Sequence, residues 1–103
     1  MAKPLEGIRV VDLTTFVAAP VCGRLLSDLG AEVIKIEHPK GDGWREFGIN
    51  YNIRFDDDEN PVYDIYNSGK KFISLNLKSP EGKEIIGKLL EKADVFLTNT
   101  RPD

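Results

Sequence analysis

Hydrophobic positions along the chain fall into short runs separated by turn formers, and the period changes from run to run. Ile8-Arg9-Val10-Val11-Asp12-Leu13 is short, β-branched and mostly apolar, the pattern of a buried strand. After Thr14-Thr15, Pro20 suits the first residue of a helix. From Val21 to Leu29 the apolar positions Val21, Leu25, Leu26 and Leu29 recur at helical spacing, with Gly30 as the natural stop. Val33-Ile34-Lys35-Ile36 reads as a second strand, halted by His38-Pro39 and the turn-rich Lys40-Gly41-Asp42-Gly43. Strand, short helix and strand in so short a span predict a βαβ unit and a parallel pair. Residues 44–59 read as loop, and Asn60-Pro61 opens a short helix that runs to Asn67 and is stopped by Ser68-Gly69. Phe72 to Leu77 alternates apolar and polar residues, as a strand with one wetter face does. Ser79 and Pro80 then start a helix whose apolar stripe is Ile85, Ile86, Leu89, Leu90 and Ala93, with Glu84 and Lys88 paired outside. Asp94-Val95-Phe96-Leu97-Thr98 is the fourth strand. The fold expected is α/β: an open, mainly parallel, Rossmann-like sheet of about four strands with crossover helices.

Composition narrows the function more than the fold. The 103 residues are 41% hydrophobic and 30% charged, the profile of a globular domain rather than a disordered chain. Fourteen basic against seventeen acidic residues leave a net charge of -3, without the basic excess that nucleic acid or a membrane surface would require. A polyanionic ligand must therefore meet a local cluster of positive groups. One cysteine allows no internal disulfide, which points to a reducing, cytoplasmic setting, and neither a membrane-length apolar run nor a signal peptide is read. The chain stops just past a strand, where another crossover would begin, so residues 1–103 are expected to be a fragment of something larger.

In an open parallel sheet the ligand crevice lies beyond the carboxyl ends of the strands. Four segments occupy that edge: Thr14 to Pro20, Glu37 to Gly43, Asn76 to Ser79 and Thr98 to Arg101. They carry hydroxyls, amides, His38, Lys40, Lys78 and Arg101, and no capping side chain stands immediately before Pro20, leaving helix amides for a ligand. A phosphate-bearing small molecule fits such an edge. Dinucleotide, phosphate-loop and nucleophile-elbow spacings are absent, and one His with one Cys supports neither a Ser-His or Cys-His site nor a zinc site. Several residues read two ways. His38 is either an exposed turn residue or a phosphate contact, and Trp44-Arg45 either clamps a ligand or anchors its loop. Lys70, Lys71 and Lys78 form the kind of charge run that is a solvated face, with Lys78 alone raised by its place near a strand end. Cys22 reads as a packing residue, and Asp56 to Glu59 as a solvated loop rather than a metal site.

Taken as strings, Pro4 to Thr14, Ala19-Pro20 and Leu29-Gly30-Ala31-Glu32-Val33-Ile34-Lys35-Ile36-Glu37 resemble the amino-terminal end of the class III coenzyme A transferases, the family of the formyl-CoA:oxalate and carnitine CoA-transferases. The resemblance continues through Gly41-Asp42, Asn67 with Lys70-Lys71, Leu75-Asn76-Leu77-Lys78-Ser79-Pro80-Glu81-Gly82, Ala93-Asp94-Val95, Asn99 and Arg101-Pro102, covering almost the whole chain. Thr14 to Pro20 is most similar to the branch that moves CoA among 2-hydroxy acids and their enoyl derivatives.

The resemblance implies CoA or acyl-CoA as substrate, with no tightly bound cofactor, and a carboxylic acid as the other partner. It implies an interlocked homodimer of longer chains whose large domain this segment begins. It places Phe16, Val17 and Ala18 in a loop lining the CoA site, Leu75 and Lys78 beside the adenine and phosphates, and Asn99, Thr100 and Arg101 in a CoA-contacting loop. His38 stands where some members place an arginine over the phosphates, which makes that contact weaker or pH-dependent. Thr100 replaces a residue that is often aromatic. The family's nucleophile is an aspartate beyond this carboxyl terminus; it attacks the thioester, giving a mixed anhydride and then an enzyme-bound CoA thioester. No catalytic residue is therefore expected among residues 1–103, and the chain alone is expected to be inactive. An acyl-CoA racemase of the same superfamily and a non-catalytic CoA-binding or interaction fragment are the alternatives.

Overall fold

The computed structural model of the chain describes residues 3–56 and 59–100. In order come β1 (Arg9–Leu13), α1 (Ala18–Asp28), β2 (Glu32–Glu37), a 3₁₀ helix (Gly43–Tyr51), α2 (Pro61–Asn67), β3 (Lys71–Ser74), α3 (Pro80–Glu91) and β4 (Val95–Thr98). The strands form one sheet in the order β3-β2-β1-β4, and all three pairings are parallel. The order grows outward from β1 in one direction and then resumes on its other side, so β1 and β4 flank the point where the winding reverses.

Successive residues of a strand face opposite sides, and the two faces have separate cores. Val10 and Val33 pack with Ala31 and with Leu26 of α1, whereas Val11 and Ile36 pack with Leu75 and with Ile86 and Leu89 of α3. Val10 and Val11 are completely buried, each worth about 1.5–3 kcal/mol relative to exposure. The α1 face changes character along its length. Its amino-terminal half is apolar, but the next inward positions are Asp12 and Lys35, both fully buried. Gly23 of α1 lets the helix pass over them, because a Cβ there would lie 2.4 Å from Asp12 Oδ2.

The structure departs from the sequence expectations at several places. Helix α1 begins at Ala18, with Val17 as its cap, so Pro20 lies within the first turn rather than at its start. Cys22 is exposed rather than packed, and Leu25 and Leu29 are also exposed, because Leu26 and Gly23 are the positions that α1 turns to the sheet. Strand β3 ends at Ser74 instead of Leu77; Leu75 and Leu77 continue inward as irregular chain that joins the α3-side core. Residues 44–59 are not all loop. Asp42 caps the 3₁₀ helix by accepting from Trp44 N at 2.9 Å, and Trp44 and Phe47 stack with centroids 4.0 Å apart. Residues three apart eclipse one another in a 3₁₀ helix, which explains that stack. Helix α3 matches its signals: Ser79 Oγ accepts from Gly82 N at 3.0 Å, and Pro80 is the first helical residue.

Candidate functional site

The carboxyl ends of β1, β2 and β3 converge on a cavity of about 270 Å³. Leu13, Ile36, Leu75 and Leu77 give it an apolar floor. Thr14 and Thr15 after β1, and Glu37, His38, Gly41 and Asp42 after β2, form one side of its rim. Asn76 and Lys78 after β3, with Thr100 after β4, form the other. An apolar slot with convergent polar edges is the usual form of a small-molecule site.

The expected site residues divide into two groups. His38, Leu75, Lys78 and Thr100 line the cavity, with the His38 and Lys78 side chains on the exposed rim. His38 Nδ1 accepts from Lys40 N at 3.0 Å, which shapes the turn after β2. Phe16, Val17 and Ala18 instead form the corner between β1 and α1 beside the cavity. Phe16 has φ +64°, in the left-handed region, and Val17 caps α1 without any side-chain bond to the helix amides. Asn99 also stands off the lining. Its Oδ1 accepts from Thr15 N at 3.1 Å and its Nδ2 donates to Thr15 O at 2.9 Å, tying the exits of β1 and β4 together. Arg101 lies outside the described residues, as do Asp57 and Asp58 of the acidic run.

Beneath the rim runs a buried polar chain that sequence reasoning did not find. Lys70 Nζ lies 2.7 Å from Asp12 Oδ2, an ion-pair contact not aligned as a hydrogen bond, and donates to Asn67 Oδ1 at 2.8 Å. Lys35 Nζ donates to the same Asn67 oxygen at 2.8 Å and to Asp42 Oδ2 at 2.8 Å. Thr14 Oγ1 donates to Asp12 Oδ1, which joins the exit of β1 to the chain. Lys70 is therefore not part of a solvated charge run. It is buried, and desolvation pulls its pKa down, partly offset by Asp12. Lys71 is exposed and pairs with Glu32 at 2.8 Å, while Lys78 has the rim position described above.

A second cluster anchors the loop after β2. Arg45 grips Glu37 with two nitrogens, at 2.7 and 2.9 Å, and its guanidinium lies 3.9 Å from the centre of the Tyr63 ring. Tyr63 donates its hydroxyl to Glu37 Oε1. Burial alone would raise the Glu37 pKa, but the Arg45 and Tyr63 bonds outweigh it and hold the carboxyl below its ordinary value. Trp44 Nε1 donates to Val62 O at 3.1 Å. Trp44 and Arg45 thus serve as loop anchors. Among the described residues no group of three or more His, Cys, Asp or Glu side chains is placed to hold a metal ion, and no helix is long and apolar enough to cross a membrane.

Residues 5–103 match the family model described as CoA-transferase family III. The chain is 53% identical over 97 residues to an (R)-2-hydroxy-4-methylpentanoate CoA-transferase of Clostridioides difficile, covering 94% of this chain and 24% of that protein. It is 47% identical over 96 residues to a cinnamoyl-CoA:phenyllactate CoA-transferase of Clostridium sporogenes, covering 93% and 23%. A crystal structure of a CAIB/BAIF family protein from Brucella suis superposes with a TM-score of 0.87 at 35% identity, covering 97% of this chain and 26% of that one. The chain therefore spans about a quarter of the length of the relatives it matches. The first relative's name carries a 2-hydroxy acid, in keeping with the branch that the β1–α1 corner resembles. With the model match extending over nearly all its residues and the sheet matching solved relatives, the chain belongs to CoA-transferase family III.

Proposed function

We propose that the cavity at the strand ends binds the nucleotide end of coenzyme A, and that residues 1–103 are the amino-terminal, CoA-binding segment of a Rossmann-like large domain in an enzyme moving CoA between an acyl-CoA and a carboxylic acid. The observation that carries this is the cavity itself, an apolar slot of about 270 Å³ rimmed by Lys78, His38 and threonine hydroxyls in a chain of net charge -3. The slot suits a planar base, and the Lys78 ammonium on its rim suits a phosphate. Leu75 would lie against the base. Lys78 and His38, with Arg101, would meet the phosphates, and Thr100 would offer a hydroxyl in place of a stacking ring. Phe16, Val17 and Ala18 would shape the entrance, and Asn99 would fix its width. The names of the relatives support 2-hydroxy acids and their acyl-CoA derivatives as the substrate class.

Three carboxylates at or beneath the rim of the cavity are already engaged by other side chains. Asp12 and Asp42 are each buried against a lysine, and Glu37 is gripped by Arg45 and Tyr63. CoA binding without turnover is the reading for this chain, with transfer left to the whole enzyme as an interlocked homodimer in the cytoplasm.

Isothermal calorimetry of the chain with CoA tests the proposal. Binding is expected, and Lys78→Ala should weaken it about fivefold, the scale of one solvent-screened charge contact near 1 kcal/mol. A folded chain that takes up no heat at millimolar CoA overturns the reading. So does CoA transfer by the purified chain, which would require a nucleophile among residues assigned to binding or structure.

A further inference from the structure

Lys35 is fully buried and does not line the cavity, yet it is bonded to a residue that does, Asp42. Its ammonium sits between Asp42 Oδ2 and Asn67 Oδ1, each at 2.8 Å. The other Asp42 oxygen, Oδ1, accepts from Phe16 N at 3.2 Å and from Trp44 N at 2.9 Å. One carboxylate thus gathers a lysine from β2, a main-chain amide from the turn after β1 and another from the first turn of the 3₁₀ helix. Phe16 needs that grip, because its φ of +64° is a backbone conformation that residues with a Cβ seldom adopt. Its ring is seated over Gly43, where a Cβ would come within 2.9 Å of Phe16 Cζ, and it meets the edge of Trp44 at 6.1 Å.

We propose that Lys35 is a positioning residue for ligand binding: by fixing the Asp42 carboxylate it sets the Phe16 turn at the mouth of the cavity. The proposal rests on the cavity being the CoA site. A buried carboxylate without a counter-ion is costly, so an Asp42 deprived of Lys35 turns toward solvent or takes up a proton. Turning releases the two amides. The left-handed Phe16 turn then relaxes, and the entrance formed by residues 14–18 changes shape. Asn67 holds the Lys35 ammonium from its other side and shares its oxygen with Lys70, so the setting of Asp42 is also linked to Asp12 at the end of β1.

The chain has a single tryptophan, Trp44, whose amide is one of the two that Asp42 holds, so its emission reads the turn without any ligand. Lys35→Met keeps an unbranched side chain one atom shorter and removes its charge. It is expected to shift Trp44 emission and to weaken CoA binding measured by calorimetry about tenfold, the loss of one charge-assisted hydrogen bond. Adding Asp42→Asn to Lys35→Met supplies an acceptor that needs no counter-ion, and most of the lost affinity and the native emission should return. Adding Asp42→Ala instead removes the acceptor, and neither should return. This pair of double variants decides the matter even where Lys35→Met fails to fold. Val33→Ala truncates the core away from the cavity; it should lower the thermal midpoint while leaving emission and affinity unchanged, separating lost stability from lost positioning. Native emission and affinity in Lys35→Met, or identical behaviour of the Asn and Ala double variants, overturns the proposal. If the native chain binds no CoA, the reading of the cavity fails instead, and Lys35 is judged on Trp44 emission alone.

Discussion

Single residues are most exposed to test at the glycines, where the backbone approaches other groups too closely for a side chain. Gly82 and Gly87 both lie in α3, and helix propensity alone would have alanine stabilise either by about 1 kcal/mol. A Cβ on Gly87 meets nothing within 4 Å, whereas one on Gly82 would stand 2.0 Å from the carbonyl oxygen of Asn76. Gly87→Ala should therefore raise the thermal midpoint by a few degrees. Gly82→Ala should lower it, because overpacking against main chain costs about 1–3 kcal/mol and exceeds the propensity gain. Calorimetric melting of the two variants checks the opposite signs. The crowding at Gly82 was not legible in the sequence, since it depends on how the irregular chain after β3 folds back on the first turn of α3, which leaves no pattern of residue types. Lys35 was hidden as well. A lysine between Ile34 and Ile36 reads as the wetter side of a strand, and only the arrival of Asp42 and Asn67 from other segments makes its burial tolerable.

Elements were legible wherever one local rule sufficed. The β-branched runs of β1 and β2 gave strands with both faces covered, and Ser79-Pro80 gave the start of α3. The 3₁₀ helix escaped because its stability comes from the Asp42 cap, an aromatic stack and the ties of Trp44 and Arg45 to α2, not from an amphipathic period. Helix α1 misled in the other direction. Four apolar positions suggested its buried side, but the sheet beneath carries Asp12 and Lys35, so Gly23 faces inward and Leu25 and Leu29 face out. The join between β2, the 3₁₀ helix and α2 also has a pH signature. Glu37 is held below its unfolded pKa by Arg45 and Tyr63, so in acid the unfolded chain binds the extra proton first. Stability from this carboxylate is present above the unfolded carboxylate range and lost as pH falls through the depressed native value. Urea melts across acid pH should show that slope, and Glu37→Gln should flatten it.

Across the whole molecule, the edge of the sheet that holds the cavity could be chosen from strand order alone, because crevices in parallel sheets open at the carboxyl ends. Most of its rim could be too, since Thr14, Thr15, Glu37, His38, Asn76, Lys78 and Thr100 all lie in the four segments read as that edge, but Phe16 and Asn99 act on the corner rather than on the slot. Net charge belongs to this scale as well. With -3 overall, the chain as a whole does not attract a polyanion, and Lys78 supplies the lysine ammonium on the rim of the cavity. CoA affinity should therefore fall as salt rises from about 50 to about 200 mM, and the slope should shrink in Lys78→Ala. Titrations at several ionic strengths would show whether both hold. The paired bonds between Asn99 and Thr15 have a consequence for how any guest enters. They stitch shut the fork where the winding reverses, a gap that sheets of this kind commonly leave open to visitors. An incoming molecule that leaves that carboxamide in place must use the vacant volume beside the seam, which Thr15 and Thr100 both border.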